Sequence, residues 1–487
     1  MDVSMNADAI KDQPEGRKYK VLPIMISLLL SGFIGLFSET ALNVAISSLM
    51  GLLHVDEATI QWLTTGYLLV LGILVPVSGL LLQWFSTRQL FITSLTFSIV
   101  GTIVAALSPN FEILLIARVL QAVGTGLLLP LLFNTILIIF PIEKRGAAMG
   151  LIGLVIMFAP AIGPAISGLI LANLTWHWIF WISLPFLAIA LIFGVLFLEN
   201  VSTITKPKID ILSIVLSTLG FGGIVFGFSS AGEGSGGWGS PVVVGTLLLG
   251  AVSLLLFGFR QMKMKQPMIN LRAFKFPMFT IGLILVFICM MMILSSMLIL
   301  PLYLQQGMAL TALGAGLVLL PGSLLNGFLS PVMGRLFDKF GPKWLVIIGL
   351  SIATIVLFLF TRIHSTTPVG LIIGLHASLM VGISMIMMPA QTNGLNQLPR
   401  EYYPDGTAIM NTLQQVAGAI GTALAVSILS AGRANFLSGV DNPQDPANVL
   451  AAFTVGVQHA FVFAVVIAAI GLVCALFIKR VNVKHGM

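Results

Sequence analysis

Val21-Leu-Pro-Ile-Met-Ile-Ser-Leu-Leu-Leu-Ser-Gly-Phe-Ile-Gly-Leu-Phe-Ser-Glu39-Thr-Ala-Leu-Asn-Val-Ala-Ile-Ser-Ser-Leu-Met-Gly-Leu-Leu53 runs thirty-three residues with a single charge. About twenty apolar residues suffice to cross a ~30 Å hydrocarbon core as a helix, so the stretch reads as a membrane span. Its one charge is then the residue to explain. Glu39 stands about ten residues, or ~15 Å, from the far end of that span. Inserting an ionisable group at mid-helix costs about 2.5 to 3.5 kcal/mol, and such residues face a bundle interior and serve ion or proton pathways. The plainer alternative is a hydrogen bond that glues two helices together.

Outward from this stretch the pattern repeats. The 487 residues are 57% hydrophobic and only 8% charged, far too apolar for a soluble chain of this size. The net charge of +7 forms no continuous patch, because the basic residues sit in short loops between apolar runs, and a nucleic-acid partner is excluded. Cys289 and Cys474 both lie inside apolar runs, which argues against disulfides and metal clusters. Residues 1–20 carry Lys11, Arg17, Lys18 and Lys20 ahead of an apolar run too long for a signal-peptide core and lacking a small-residue cleavage site. They read as a short cytoplasmic tail before an uncleaved first span.

Apolar segments fall near residues 22–50, 60–82, 89–107, 112–140, 146–172, 177–198 and 211–231, then 241–259, 277–301, 310–333, 344–361, 368–397, 406–432 and 456–478. Fourteen spans put both termini on one side. Placing the tails and alternate loops inside collects 21 of the 24 Lys and Arg residues there, against Arg362 and Arg433 outside and Arg118 within a span. Both termini are therefore expected in the cytoplasm, in a multi-pass protein of the cell membrane. The stretch Gly79 to Arg88 after the second span recurs as Gly334 to Lys343 after the tenth. The expected plan is two six-helix bundles, 21–198 and 277–478, a linker region 199–276 holding an inserted transmembrane pair, and a cytoplasmic tail 479–487. Parallel repeats of this kind are one build for secondary transporters.

The second of these loops sets Gly334 and Gly341 around Asp338, with Arg335, Lys339 and Lys343 beside it. An Asp next to a neighbouring helix N-terminus is stabilised by the positive end of its dipole, and would fasten two helices as a cytoplasmic gate. The spacing G-x-L-x-D-K-x-G-x-K resembles the signature of the major facilitator superfamily. The first copy departs from it, with Gln83 at the acidic position, Trp84 at a basic one and Ser86 at the second Gly. In the fourth span, Arg118, Gln121, Gly124 and Gly126 resemble the superfamily's arginine-and-glycine motif, which implies a part in proton coupling. Arg118 cannot deprotonate usefully, so it would hold or release a carboxylate, unless it simply snorkels to the interface.

In the fifth span, Pro160, Gly163, Pro164 and Gly168 are similar to the antiporter motif of drug exporters, with Ala159 and Ser167 replacing glycines. Small residues let helices approach closely, and prolines make a bendable seam. Together with Trp176 to Pro185 and Leu300 to Gln306, these stretches resemble the fourteen-span drug:proton antiporter family over nearly the whole chain after the tail. Ser38 to Ala45 resembles that family's first-span motif with one change. Ser38 takes the usual Asp position and Glu39 supplies the acid, as in the lincomycin-exporter branch.

The resemblance implies an all-α major facilitator fold with fourteen transmembrane helices and proton-coupled efflux of hydrophobic drugs, possible lincosamides included, by alternating access. Protons would enter through Glu39 with Arg118 as its partner, the proton being the coupling ion and no other cofactor being needed. Export of a lipid, peptide or metabolite on the same fold is the alternative. Asn43, Gln121, Asn134, Asn326 and Gln414 are candidate cavity positions, and Asn393, Gln391, Asn411 and Gln415 are further polar positions. His376 reads as a packed donor, and no P-loop, H-E-x-x-H or G-x-S-x-G suggests an enzyme or ATP as fuel. A monomer in the bilayer is expected.

Overall fold

The computed structural model describes residues 21–481 apart from 43, 44, 56, 203 and 234–236, and every regular element among them is helical. In chain order the α-helices are α1 Val21–Ala41, α2 Ile46–Leu53, α3 Glu57–Trp84, α4 Thr87–Ala106, α5 Phe111–Ile139, α6 Arg145–Asn173 and α7 Trp178–Phe197. They continue with α8 Ile211–Glu233, α9 Pro241–Lys263, α10 Pro277–Leu302, α11 Ala312–Phe340, α12 Pro342–Phe360, α13 Val369–Asn396, α14 Tyr403–Ser438 and α15 Pro446–Ala475. Thirteen of them, all but α2 and α6, are long and apolar enough to cross a membrane. With 29 residues, α6 has the same reach. The tails 1–20 and 482–487 lie outside the described residues.

The first span differs from its sequence reading. Instead of one helix over 22–50, α1 stops at Ala41, two residues past Glu39, and α2 resumes at Ile46. Near the stop the Thr40 hydroxyl folds back on the carbonyls of Leu36 and Phe37, at 3.3 and 3.4 Å, and the Ala45 N–H reaches Leu42 O at 2.9 Å in a tighter, three-residue turn. Irregular backbone at membrane depth survives only where protein or a wet cavity satisfies it, which a hydropathy scan cannot register.

Two sets of helices pack alike. In the first, α1 lies on α5, α6 and α7, α4 on α5 and α7, and α3 on α5. In the second, α10 lies on α13, α14 and α15, α12 on α13 and α15, and α11 on α13. Between the sets, α6 lies on α11, α3 and α5 on α14, and α13 on α6, with the α6–α11 contact the most extensive.

The pair α8 and α9 pack on each other, and α8 lies across both α3 and α14. Asp210 caps the start of α8 by accepting from the Ser213 N–H at 3.3 Å, and it pairs with Arg260 near the end of α9 at 2.6 and 2.8 Å. The guanidinium, aided by the Ser213 hydroxyl, holds the Asp210 carboxyl well below the usual carboxylate range. The connecting segments are stitched down as well. Gln83 O accepts from Thr205 and Lys206, Trp84 Nε1 donates to Pro207 O at 2.8 Å, and the Asn270 N–H donates to Asp405 at 3.1 Å.

Candidate functional site

Arg118 sits seven residues into α5, ~10 Å along the helix, and is completely buried. It does not snorkel. Its Nη1 donates to Ser38 O at 2.8 Å, Ser38 Oγ at 3.3 Å and Gln121 Oε1 at 3.0 Å, Nε donates to Leu63 O at 3.3 Å, and Nη2 reaches Glu39 O at 3.4 Å. The guanidinium also lies 4.3 Å from the centre of the Tyr67 ring, a stacked cation–π contact. One cation thus ties α5 to α1 and α3.

The expected contact between the Arg118 guanidinium and the Glu39 carboxylate is not made in this state; the two meet through the Glu39 carbonyl. Helix geometry supplies the reason. Each residue turns the helix by ~100°, so moving the acid from position 38 to 39 swings its side chain away and leaves the Ser38 hydroxyl facing the cation. Glu39 itself is half-buried, with its carboxylate in no ion pair among the described residues.

Around this centre lies a polar network. Gln121, expected in the cavity, is buried and spends its amide at both ends, accepting from Arg118 and donating to Thr102 Oγ1 at 3.0 Å. The Tyr67 hydroxyl donates to Thr125 Oγ1 at 2.8 Å and stands 3.3 Å from Gly35 O. Gly124 lets α4 approach, its carbonyl accepting from Ser94 Oγ at 2.6 Å.

A second cluster lies where α11 ends and α6 begins. Asp338 accepts from the N–H groups of Gly146 and Ala147 at 2.8 and 2.9 Å, in the first turn of α6, where the free amides and dipole favour a carboxylate. The helices meet backbone to backbone here, since a Cβ added to Gly334 would stand 2.0 Å from Gly146 O. Gly341 closes α11 at φ 81°, a left-handed turn that glycine adopts without penalty. Lys339 reaches over the Phe340 ring at 5.1 Å. The first copy of this loop is built otherwise. Ser86 forms a capping box with Gln89 at the start of α4, and the Gln83 amide bonds back to Gly79 O within its own helix, at 3.2 Å.

Two helix sets that pack alike, one holding a buried arginine network, are joined where Asp338 meets the start of α6, and residues 28–422 match the family model described as Major Facilitator Superfamily. The chain belongs to the major facilitator superfamily. Over 469 residues this major facilitator is 70% identical to the lincomycin resistance protein LmrB of Bacillus subtilis (strain 168), covering 96% of this chain and 98% of that one. It is 27% identical over 410 residues to the probable multidrug resistance protein EmrY of Escherichia coli (strain K12), covering 83% and 79% of the two chains. These relatives place it in the drug:proton antiporter family. Among solved structures, the human organic anion transporter MFSD10 shares the fold with a TM-score of 0.63 at 13% identity, over 93% of this chain and 99% of that one. The all-helical major facilitator fold expected from the sequence is the fold found.

The remaining candidates scatter over this major facilitator frame. Gly163 of the antiporter motif packs α6 on α1 beside Glu39, where an added Cβ would meet Thr40 Oγ1 at 2.5 Å. Gly168 faces open space, Pro160 is half-buried, and the Pro164 side chain lies outside the described residues, as does Asn43. Asn134 and Gln391 are buried with no hydrogen-bond partner for either end of the amide among the described residues, and the Gln414 nitrogen is likewise unpartnered. Asn326 is buried too, its Nδ2 against Met380 Sδ at 3.6 Å. His376 packs on Gly322, its Nδ1 without a partner among the described residues. Tyr67, Thr102 and Thr125 escaped the sequence reading. Only the position of Tyr67 within an apolar run hinted at a buried hydroxyl in need of a bond.

Proposed function

We propose that this protein exports hydrophobic drugs, lincosamides among them, across the cell membrane by alternating access of its two helix sets, in exchange for protons that bind Glu39. The observation that carries the reading is the Arg118 network. A fixed cation grips α1 by the carbonyls of Ser38 and Glu39, beside the point where that helix breaks, and leaves the Glu39 carboxyl free to take or give a proton. Protonation then changes the charge in the neighbourhood of a cation that does not move. The likeness to a lincomycin resistance protein over almost the full length supports the substrate class.

With both termini in the cytoplasm, the end closed by Asp338 is the cytoplasmic one and the conformation is outward-facing. The protein works as a monomer. One proton charge crossing 100 mV supplies ~2.3 kcal/mol, enough for a roughly 50-fold gradient of an uncharged drug before any pH difference counts. Proteoliposomes with an imposed pH gradient test the coupling. Wild type should accumulate lincomycin and Glu39→Gln should not, although the neutral amide is cheaper to bury and leaves insertion intact. Gradient-driven accumulation at the wild-type rate by Glu39→Gln removes Glu39 as the coupling acid, and drug-independent proton flux with no lincomycin transport in wild type points to another substrate.

A further inference from the structure

Arg145, the first residue of α6, is only 3% exposed, an unusual place for a charge that the sequence shows merely as part of a short loop. Within its own helix set, Nε donates to Phe140 O at 3.1 Å and Nη2 donates to Leu137 O, both carbonyls at the end of α5. Across to the other set, Nη1 donates to Asn396 Oδ1 at 3.1 Å, on the last residue of α13. The guanidinium also lies 5.1 Å from the centre of the Tyr403 ring, on the first residue of α14. No carboxylate pairs with it among the described residues. Its partners are instead the negative carbonyl end of α5, an amide and a ring face.

The next two residues of the chain, Gly146 and Ala147, receive Asp338. Three consecutive residues at the start of α6 therefore carry two contacts of opposite sign between the helix sets. We propose that Arg145 is a second bolt of this gate, a positioning residue that holds α13 and α14 against the first set only while this end is closed. When the sets part, the bonds to Leu137 and Phe140 travel with α5 and α6, and those to Asn396 and Tyr403 break. The neutral acceptor is what makes the bolt releasable. A carboxylate at position 396 would add the attraction of an ion pair to this bond and hold the gate shut.

This inference rests on the alternating-access reading, and its test reads conformation rather than transport. In full-length protein lacking its native cysteines (Cys289→Ser, Cys474→Ser), spin labels at positions 144 and 401 would sit on exposed residues on either side of the gate. Pulsed distance measurement in lipid then gives the ratio of open to closed gate. Asn396→Ala should raise that ratio by about tenfold, the size of one hydrogen bond to a charged group, and Tyr403→Leu by a comparable factor, the size of a buried cation–π contact. Asn396→Asp should lower it and slow lincomycin turnover with drug KM unchanged. Identical distance distributions for wild type, Asn396→Ala and Asn396→Asp overturn the bolt. Normal export by Glu39→Gln would defeat the coupling assignment and leave these distances as they are, so the two failures are distinguishable.

Discussion

Arg118 is held by acceptors that come mostly from the backbone of two other helices, α1 and α3, and this decides what a substitution there does. Lysine keeps the charge but replaces a planar fork of donors by one compact ammonium, which cannot span Leu63 O, Ser38 O and Gln121 Oε1 together. Arg118→Lys is expected to insert normally and lose at least about tenfold in export rate, corresponding to ~1.4 kcal/mol; wild-type rates in the proteoliposome assay would mean that charge alone suffices. Tyr67 separates packing from bonding. Tyr67→Phe keeps the ring on Arg118 and loses the bond to Thr125, costing about 1 kcal/mol of stability, read from the thermal midpoint in detergent, with export retained. Tyr67→Leu should lose export as well. Of this cluster, Gln121 was legible three residues along the same helix face, and Glu39 by being a lone acid. Ser38 was legible only as a departure, and Thr102 and Thr125 not at all, because bonds between helices leave no trace in spacing along one of them.

Between elements, two glycines of α11 differ in what a methyl group would do. Gly334→Ala would drive a Cβ to 2.0 Å from the Gly146 carbonyl oxygen, so α6 and α11 must separate to accept it. The variant should be stable enough to insert, at a cost of about 1 to 3 kcal/mol, yet leave the gate ajar and uncouple export from the gradient. Gly316→Ala on the same helix meets nothing within 4 Å and serves as the control, with rates equal to wild type. Labelling of position 144 and export rate, measured on both variants, check the contrast. The sequence of this loop showed a glycine and an acid that suit a helix crossing, since both are local requirements. The break after Ala41 was hidden. Thr40, Ala41 and Leu42 are as apolar or as small as residues within a continuous helix, and the close approach of α6 to Thr40 at Gly163 leaves no trace in that composition.

Across the whole molecule, hydropathy maxima follow from length and composition alone, and thirteen of the helices found are long and apolar enough to be spans. The lie of the inserted pair was not readable, as it depends on which grooves α8 fills. It sits over the junction of α3 with α14, with Gly72 against Val225 and the Trp62 and Phe226 rings 5.8 Å apart, while α9 turns Leu248, Leu255 and Phe259 outward, each 60% exposed or more. Single cysteines along the outward face of α9 should therefore react with membrane-permeant maleimides without blocking export and without protection by lincomycin. Protection at several of these sites would put the pair on the drug path. Because α8 touches one helix of each set, rocking the sets must slide a lipid-bathed helix past at least one of them. In the proposed cycle that sliding would be resisted by the surrounding bilayer, so export rate is expected to vary with acyl-chain length, far from any drug or proton.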